Sequence, residues 1–244
     1  MRKLILILLL LPVAQVFASS GLHLEPAQTN IRSKESLRNG AKYYMNYCSA
    51  CHSLKYQRYS RMAKDLELSE DEVMENLIYT DAKFTDHMTV TMTDESSKKW
   101  FGKAPPDLTL IAKAKGNDWL YAYLKGFYKD PSRPSGWNNT IFKDASMPHV
   151  MWQLQGIQEA HFEEHEDENG FITHPFKEFS KVTEGSMSDE EFDNTVRDIV
   201  NFLDYTAEPA KLIRLAYAPW VMLFLVIFTF LAYMLKKNYF KDVH

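Results

Sequence analysis

The sequence predicts a mainly α-helical protein, one globular domain with long loop insertions followed by a single C-terminal transmembrane helix. Three observations carry that prediction. The chain has 244 residues, 45% hydrophobic and 25% charged, which suits one sizeable core and argues against disorder. Segments that open on a helix cap and continue with apolar residues at helical spacing recur along it. Near the C-terminus, Ala216 to Leu235 is a run of 20 residues without a charge, about 30 Å of helix at ~1.5 Å per residue, the thickness of one hydrocarbon core.

The helices are justified in turn. Ser36 to Cys51 reads as the first, with Leu37, Tyr44 and Tyr47 as apolar positions and Gly40 as a point where another helix can approach closely. Ser69 with Glu72 forms a capping box for a second helix reaching Tyr79. Asp118 is placed to cap a third, Trp119 to Phe127, where Leu120, Tyr123 and Leu124 share a face. Ser188 with Glu191 opens a fourth, and its Phe192, Val196, Ile199, Val200 and Leu203 form a core-facing stripe. Between them, Asp81 to Thr109 and Lys129 to Met147 are rich in Pro, Gly, Asn and Thr. Irregular stretches of that length in a compact domain usually serve a function.

The two ends are appendages. Met1, Arg2 and Lys3, the apolar run Leu4 to Leu11 and the small-residue pattern Val16-Phe17-Ala18 make an export signal cleaved after Ala18. The expected organisation is therefore a signal at 1–18, an exported domain at 19–210, an anchor at 211–237 with its apolar core at 216–235, and a tail at 238–244. Pro219 falls in the first turn of the apolar run, and Trp220, Tyr233 and Tyr239 suit the bilayer interfaces. Lys236, Lys237 and Lys241 beyond the span outnumber Lys211 and Arg214 before it, a weak bias that agrees with export of the domain.

Charge narrows the partners. Setting aside Arg2, Lys3, Lys236, Lys237 and Lys241 from the 28 basic residues, and Asp242 from the 32 acidic ones, leaves 23 against 31 for residues 19–235, a net of −8. That sign excludes nucleic acid, whose phosphates call for the opposite charge, and suits a basic protein. Two stretches concentrate the acids: Asp65, Glu67, Glu70, Asp71, Glu72 and Glu75, and Glu159, Glu163, Glu164, Glu166, Asp167 and Glu168. Each reads either as a solvated surface or as an acidic rim that steers a basic protein partner.

Chemistry concentrates at the only two cysteines. Cys48-Ser49-Ala50-Cys51-His52 is the CxxCH arrangement of c-type haem attachment. Thiols three residues apart on one helical turn can add to the two vinyl groups of one haem, and the next residue brings an imidazole to the iron. A thioredoxin-like redox pair follows a strand, whereas Arg38 to Tyr47 reads as helix. Zinc needs four ligands and there is no second cysteine pair; a disulfide across two residues is strained and closes too small a loop to stabilise much. Trp100, Phe101, Trp119, Trp137 and Trp152 are candidates to cover the edges of the macrocycle. For the sixth ligand Met147 is favoured, because Pro148 holds it extended on a loop, with Met88 and Met92 as rivals. His149, His161 and His165 read as polar surface.

Four segments together resemble the cytochrome c1 family, the haem subunit of the proteobacterial cytochrome bc1 complex (ubiquinol-cytochrome c oxidoreductase). They are the CxxCH motif, Trp100-Phe101-Gly102-Lys103-Ala104-Pro105-Pro106-Asp107-Leu108, Met147-Pro148-His149-Val150 with Trp152, Leu154, Gln155 and Gly156, and Tyr205-Thr206-Ala207-Glu208-Pro209 leading into the span. The resemblance implies a cytochrome c-like haem domain with crossed terminal helices and one covalent haem c on Cys48 and Cys51. It implies axial ligation by His52 and Met147, with Pro105 and Pro106 at the haem edge. Where the family often places an arginine to hold a haem propionate, this chain has Lys113, with Lys115 near it; a lysine neutralises a carboxylate but lacks the planar fork.

The same resemblance implies an electron relay rather than an enzyme in its own right. One electron would arrive from a Rieske iron-sulfur protein and leave to a cytochrome c, within a dimeric complex that also holds cytochrome b. The setting would be the bacterial inner membrane, with the haem domain in the periplasm. A stand-alone membrane-tethered cytochrome c feeding a terminal oxidase or reductase is the alternative. A haem enzyme or gas sensor would need an open position at the iron.

Overall fold

A computed structural model describes residues 24–90, 92–166 and 172–241; the expected export signal and the acidic residues Asp167 and Glu168 lie outside them. In chain order, helix α1 (Lys34–Tyr47) leads to strand β1 (Leu54–Arg58) and helices α2 (Tyr59–Leu66) and α3 (Glu70–Asn76). Strand β2 (His87–Met88) pairs antiparallel with β1. Helices α4 (Asp94–Phe101), α5 (Ile111–Lys115) and α6 (Asn117–Lys125) precede the antiparallel pair β3 (Phe127–Lys129) and β4 (Trp137–Asn139). One helical turn, α7 (Trp152–Gln155), opens a ribbon of β5 (Gly156–Phe162), β6 (His165–Glu166), β7 (Ile172–Thr173) and β8 (Phe176–Glu184), in which β5 pairs with β8 and β6 with β7. Helices α8 (Asp189–Ala207) and α9 (Lys211–Tyr239) complete the fold.

The core lies where α1 crosses α8. Gly40 makes the crossing possible: a Cβ there would overlap the carbonyl oxygen of Asp198 and come to 2.7 Å from Phe202 Cβ, so only glycine lets the backbones meet. Tyr44 and Phe202 pack with ring centroids 5.7 Å apart. Leu37, Ala41, Val196, Ile199 and Leu203 are buried around them, each large aliphatic side chain contributing about 1.5–3 kcal/mol by leaving water. At the crossing Ser36 Oγ donates to Asp198 at 2.5 Å, and Asn201 Nδ2 donates to Ser36 Oγ and to the Asn30 carbonyl, both at 2.9 Å, while the buried Asn201 Oδ1 has no partner among the described residues.

The capping boxes at Ser69–Glu72 and Ser188–Glu191 are both formed, as the sequence predicts. Other details differ for physical reasons. α1 is capped by Ser33, whose hydroxyl accepts the Ser36 N–H, so it starts two residues before Ser36. α6 begins at Asn117 after Gly116, and the Asp118 carboxylate instead accepts the Ala27 N–H at 2.8 Å, tying down the N-terminal segment. Pro219 lies in the interior of α9 rather than in a first turn, because the helix starts at Lys211. A missing N–H there is tolerable in a long apolar helix whose neighbouring turns persist. α9 has 29 residues, is long and apolar enough to cross a membrane, and has no buried residue.

Candidate haem-binding site

α1 ends at Tyr47, but its backbone turn persists: Cys48 N–H donates to the Tyr44 carbonyl, and Cys51 and His52 N–H both donate to the Cys48 carbonyl at 3.1 and 2.8 Å. That extra turn puts both thiols and the imidazole on one short surface. Tyr44, anchored in the helix crossing, donates its hydroxyl to the His52 carbonyl at 2.6 Å. The motif is thus bolted to the core from inside. Both cysteines are free thiols, Cys48 buried and Cys51 half-buried. Burial pushes the Cys48 thiol up to about 12, with the neighbouring Cys51 adding to the effect, and raises Cys51 as well. Protonated thiols are poor metal ligands, and no cluster of three or more His, Cys, Asp or Glu suited to a metal ion occurs among the described residues.

The Pro105-Pro106-Asp107 strap closes over His52. The Pro106 carbonyl lies 2.8 Å from His52 Nδ1; a carbonyl only accepts, so Nδ1 carries the proton and Nε2 keeps a free lone pair. Asp107 fixes the strap by accepting the Lys55 and Thr109 N–H groups at 2.8 and 3.0 Å, and Leu108 N–H donates to the Ser53 carbonyl at 2.9 Å. Burial lowers the pKa of His52, against the opposing pulls of the Pro106 hydrogen bond and Asp107. The neutral, ligating form is therefore the stable one.

Two adjoining voids of about 90 and 290 Å³ run along this surface, and His52, Lys103, Pro106, Ser146 and Met147 line both. Cys51, Tyr47, Phe101, Pro105 and Val150 wall the smaller void. Cys48, Trp119, Tyr123, Leu120, Phe142 and Leu203 are among the walls of the larger. Met147 is held from behind by the Tyr123 hydroxyl, which donates to its sulfur at 3.6 Å; Tyr123 in turn stacks on Trp119 with centroids 5.0 Å apart. Two thiols, an imidazole with an uncommitted nitrogen and a thioether thus line two adjoining, largely apolar voids. This donor set fits a covalently attached haem.

The structure brings together Cys48, Cys51, His52, Met147, Pro105 and Pro106, and leaves several other expected residues apart. Met88 sits opposite Leu54 in the β1–β2 pair and lines another void of about 350 Å³ together with His52, Ser49 and Tyr59, but neither thiol nor Pro106 is in its wall. Met92 lines none of these voids. Lys113 is turned away to Glu208, 2.5 Å from its carboxylate. Lys103 lines both voids and Lys115 the larger, 5.2 Å from the Trp119 ring centroid. Trp100 and Trp152 are largely exposed, and Trp137 packs edge-on against His149.

His149 itself corrects the surface reading. It is 2% exposed, stacked on Phe127 with centroids 5.3 Å apart, and burial pushes its pKa down to about 4. Among the described residues neither acidic stretch lines these voids, and Glu163 is held by Lys177 at 2.7 Å. Tyr123 and Lys103 are functional candidates that sequence reasoning passed over. Tyr123 was one of three apolar positions on its helix, and only its four-residue spacing from Trp119 hinted at a paired role.

Comparison with known proteins agrees with this geometry. The profile of the Cytochrome C1 family matches residues 28–243. A cytochrome c1 of Allochromatium vinosum is 50% identical over the whole of both chains. A Nitrosomonas europaea protein named ammonia monooxygenase gamma subunit is 40% identical over all of this chain and 98% of its own. A cytochrome c1 of Rhodospirillum rubrum is 25% identical over 85% of this chain and 81% of its own. By its fold, its cavity and these matches the chain belongs to the cytochrome c1 family, membrane-anchored electron-transfer subunits of the bc1 complex that carry a covalently bound haem c.

Proposed function

We propose that this chain receives one electron from a Rieske iron-sulfur protein and passes it to a c-type cytochrome, within a membrane complex that includes cytochrome b. When bound, haem c supplies a one-electron Fe(III)/Fe(II) couple. Cys48 and Cys51 would hold it through thioether bonds, and His52 Nε2 and Met147 Sδ would ligate its iron. The observation that carries this reading is that His52 and Met147 line both of two adjoining voids, Cys51 the smaller and Cys48 the larger, with both thiols free.

The residues then have defined work. The Pro106 carbonyl holds the His52 ring in the tautomer that offers Nε2. The Tyr123 hydroxyl draws electron density from the Met147 sulfur, and apolar walls keep water from the cavity; both favour the less charged reduced state and a high potential. No substrate bond changes on this chain alone. The N-terminal export signal read from the sequence and the lysines that follow the apolar run 216–235, Lys236, Lys237 and Lys241, support a haem domain outside the cytoplasmic membrane, anchored by 211–237.

Purification from membranes tests the assignment. Cytochrome b and a Rieske protein should accompany the full-length chain, and quinol should reduce it. Recovery as a lone cytochrome that quinol cannot reduce would overturn the complex assignment and favour a stand-alone tethered cytochrome.

A further inference from the structure

α8 and α9 meet at Glu208-Pro209-Ala210, where the backbone can bend. Glu208 leaves helical geometry with φ −154° and ψ 73°, since the ring of Pro209 disfavours the α region before it. Pro209 has no N–H to continue the ladder. On the backbone alone, these three residues would act as a joint between the haem domain and its anchor.

Side chains bridge that joint. Glu208 Oε2 lies 2.5 Å from Lys113 Nζ, and Oε1 of the same carboxylate lies 2.7 Å from Arg214 Nη2. Lys113 belongs to α5, whose Ile111 and Lys115 wall the larger void, and Arg214 belongs to the anchor. Lys211, the first residue of α9, donates to Asp204 of α8 at 2.8 Å. Leu212 and Leu215, three residues apart and so on one face of α9, pack against the domain core, as Ile111 does. The end of α8 is itself fixed, because the buried Tyr205 donates its hydroxyl to Asp65 at 2.9 Å. The two acids are sheltered, with side chains 9% exposed at Asp204 and 25% at Glu208, so salt screens them less than an open surface pair. A carboxylate that joins two cations is a network rather than an isolated pair.

We propose that Lys113, Glu208 and Arg214 are positioning residues: with Asp204, Lys211 and the two leucines they form a bracket that holds the haem domain at one tilt above the membrane. One end of the bracket is on a helix that walls the cavity and the other is on the anchor, so the direction of the anchor sets the plane of a haem held in that cavity. Lys113 stands where a lysine could neutralise a haem carboxylate, and the structure commits it to the anchor joint instead. A relay held this way presents its haem to a membrane-bound donor in one attitude rather than by swinging. The inference deepens the electron-relay reading and rests on the haem lying in this cavity.

The test is electron paramagnetic resonance of the ferric haem in the full-length chain, reconstituted into oriented membrane multilayers, where the spectrum depends on the angle between haem plane and membrane. The unaltered chain should show a strong angular dependence. Lys113→Gln, and separately Lys113→Gln with Arg214→Gln, should lose most of it, whereas Lys113→Arg should keep it. Both side chains are more than half exposed, so their removal leaves the core intact, and circular dichroism, covalent haem on denaturing gels and midpoint potential should match the parent. Angular dependence retained by both variants, or missing from the unaltered chain, with haem content and potential intact, would refute the bracket while the haem site stands. A shifted potential in Lys113→Gln with the angular dependence retained would return the lysine to the haem and overturn the bracket as well. Absence of covalent haem in the unaltered protein would overturn the site reading and this inference with it.

Discussion

Replacing Gly40 by Ala tests whether the helix crossing holds the haem motif in place. The added methyl would overlap the Asp198 carbonyl oxygen and reach 2.7 Å from Phe202 Cβ, against the ~3.5–4.0 Å of an ordinary carbon contact. α1 and α8 must therefore separate by roughly 1 Å, which forfeits a quarter to a half of the local dispersion contact. Overpacking of this kind costs about 1–3 kcal/mol. The hydrogen bonds from Ser36 to Asp198 and from Asn201 to Ser36 are stretched at about 1 kcal/mol each, offset by about 1 kcal/mol of improved helix propensity. The net of about 2–4 kcal/mol corresponds to a fall in Tm of roughly 10 °C for a domain of this size. Thermal unfolding of the full-length haem protein in detergent, followed by circular dichroism and by haem absorbance, measures it. The haem signal should move with the backbone signal, because Tyr44 couples the crossing to His52 through its 2.6 Å hydrogen bond. Gly136→Ala is the control, since its φ of +73° carries backbone strain but a Cβ there meets nothing within 4 Å. A Gly40→Ala protein within 2 °C of the parent would refute the close-contact argument.

Four other outcomes follow from the same geometry. Met147→Leu keeps volume and deletes the sulfur, so the midpoint potential should drop by a few hundred millivolts, a large part of the ~0.8 V range over which axial ligands tune haem; redox titration checks it, and an unmoved potential would reassign the ligand. Tyr123→Phe removes the hydroxyl donor to that sulfur; a hydrogen bond favouring one redox state by about 0.5–1 kcal/mol is worth about 20–40 mV for one electron, and the potential should fall by that amount with methionine ligation retained. Cys51→Ala leaves one thioether at most, so haem should become extractable or be lost under denaturing conditions, read on a gel. His149 sets a pH dependence: its pKa falls from 6.5 to about 4 on folding, so the unfolded chain binds the extra proton first. Its contribution to stability is full above pH 6.5 and is lost as pH falls towards 4, about 2 kcal/mol of it by pH 5. Denaturant unfolding at pH 7 and 5 should show that loss, and His149→Phe should flatten it.

What the sequence determined alone is the local and compositional part. CxxCH named the attachment site because its chemistry needs only residues one helical turn apart. The boxes at Ser69–Glu72 and Ser188–Glu191 announced their helices because each cap is closed within four residues. The uncharged run from Ala216 to Leu235 announced α9 because a bilayer selects on length and apolarity. Gly40 and the stripe on α8 marked the two faces that meet, although their meeting is a tertiary fact.

Tertiary structure decided what depends on distant pieces. The β5–β8 ribbon was illegible, since its strands are largely solvent-exposed and carry no alternation of burial. It is held instead by glycines at its base, Gly156 and Gly185, and by the aromatic ladder of Tyr128, Phe162, Phe176 and Phe179. Lys113 looked apt for a propionate by position, but Glu208, 95 residues away, takes it. His149 looked polar and is buried because Phe127 and Trp137 converge on it. Met88 and Met147 each share a void with His52, but only the voids that Met147 lines include the thiols, a juxtaposition that no local spacing announces. A side chain's type and spacing state what it can do; which cavity it faces is set by contacts between segments far apart in the chain, where no local period carries the information.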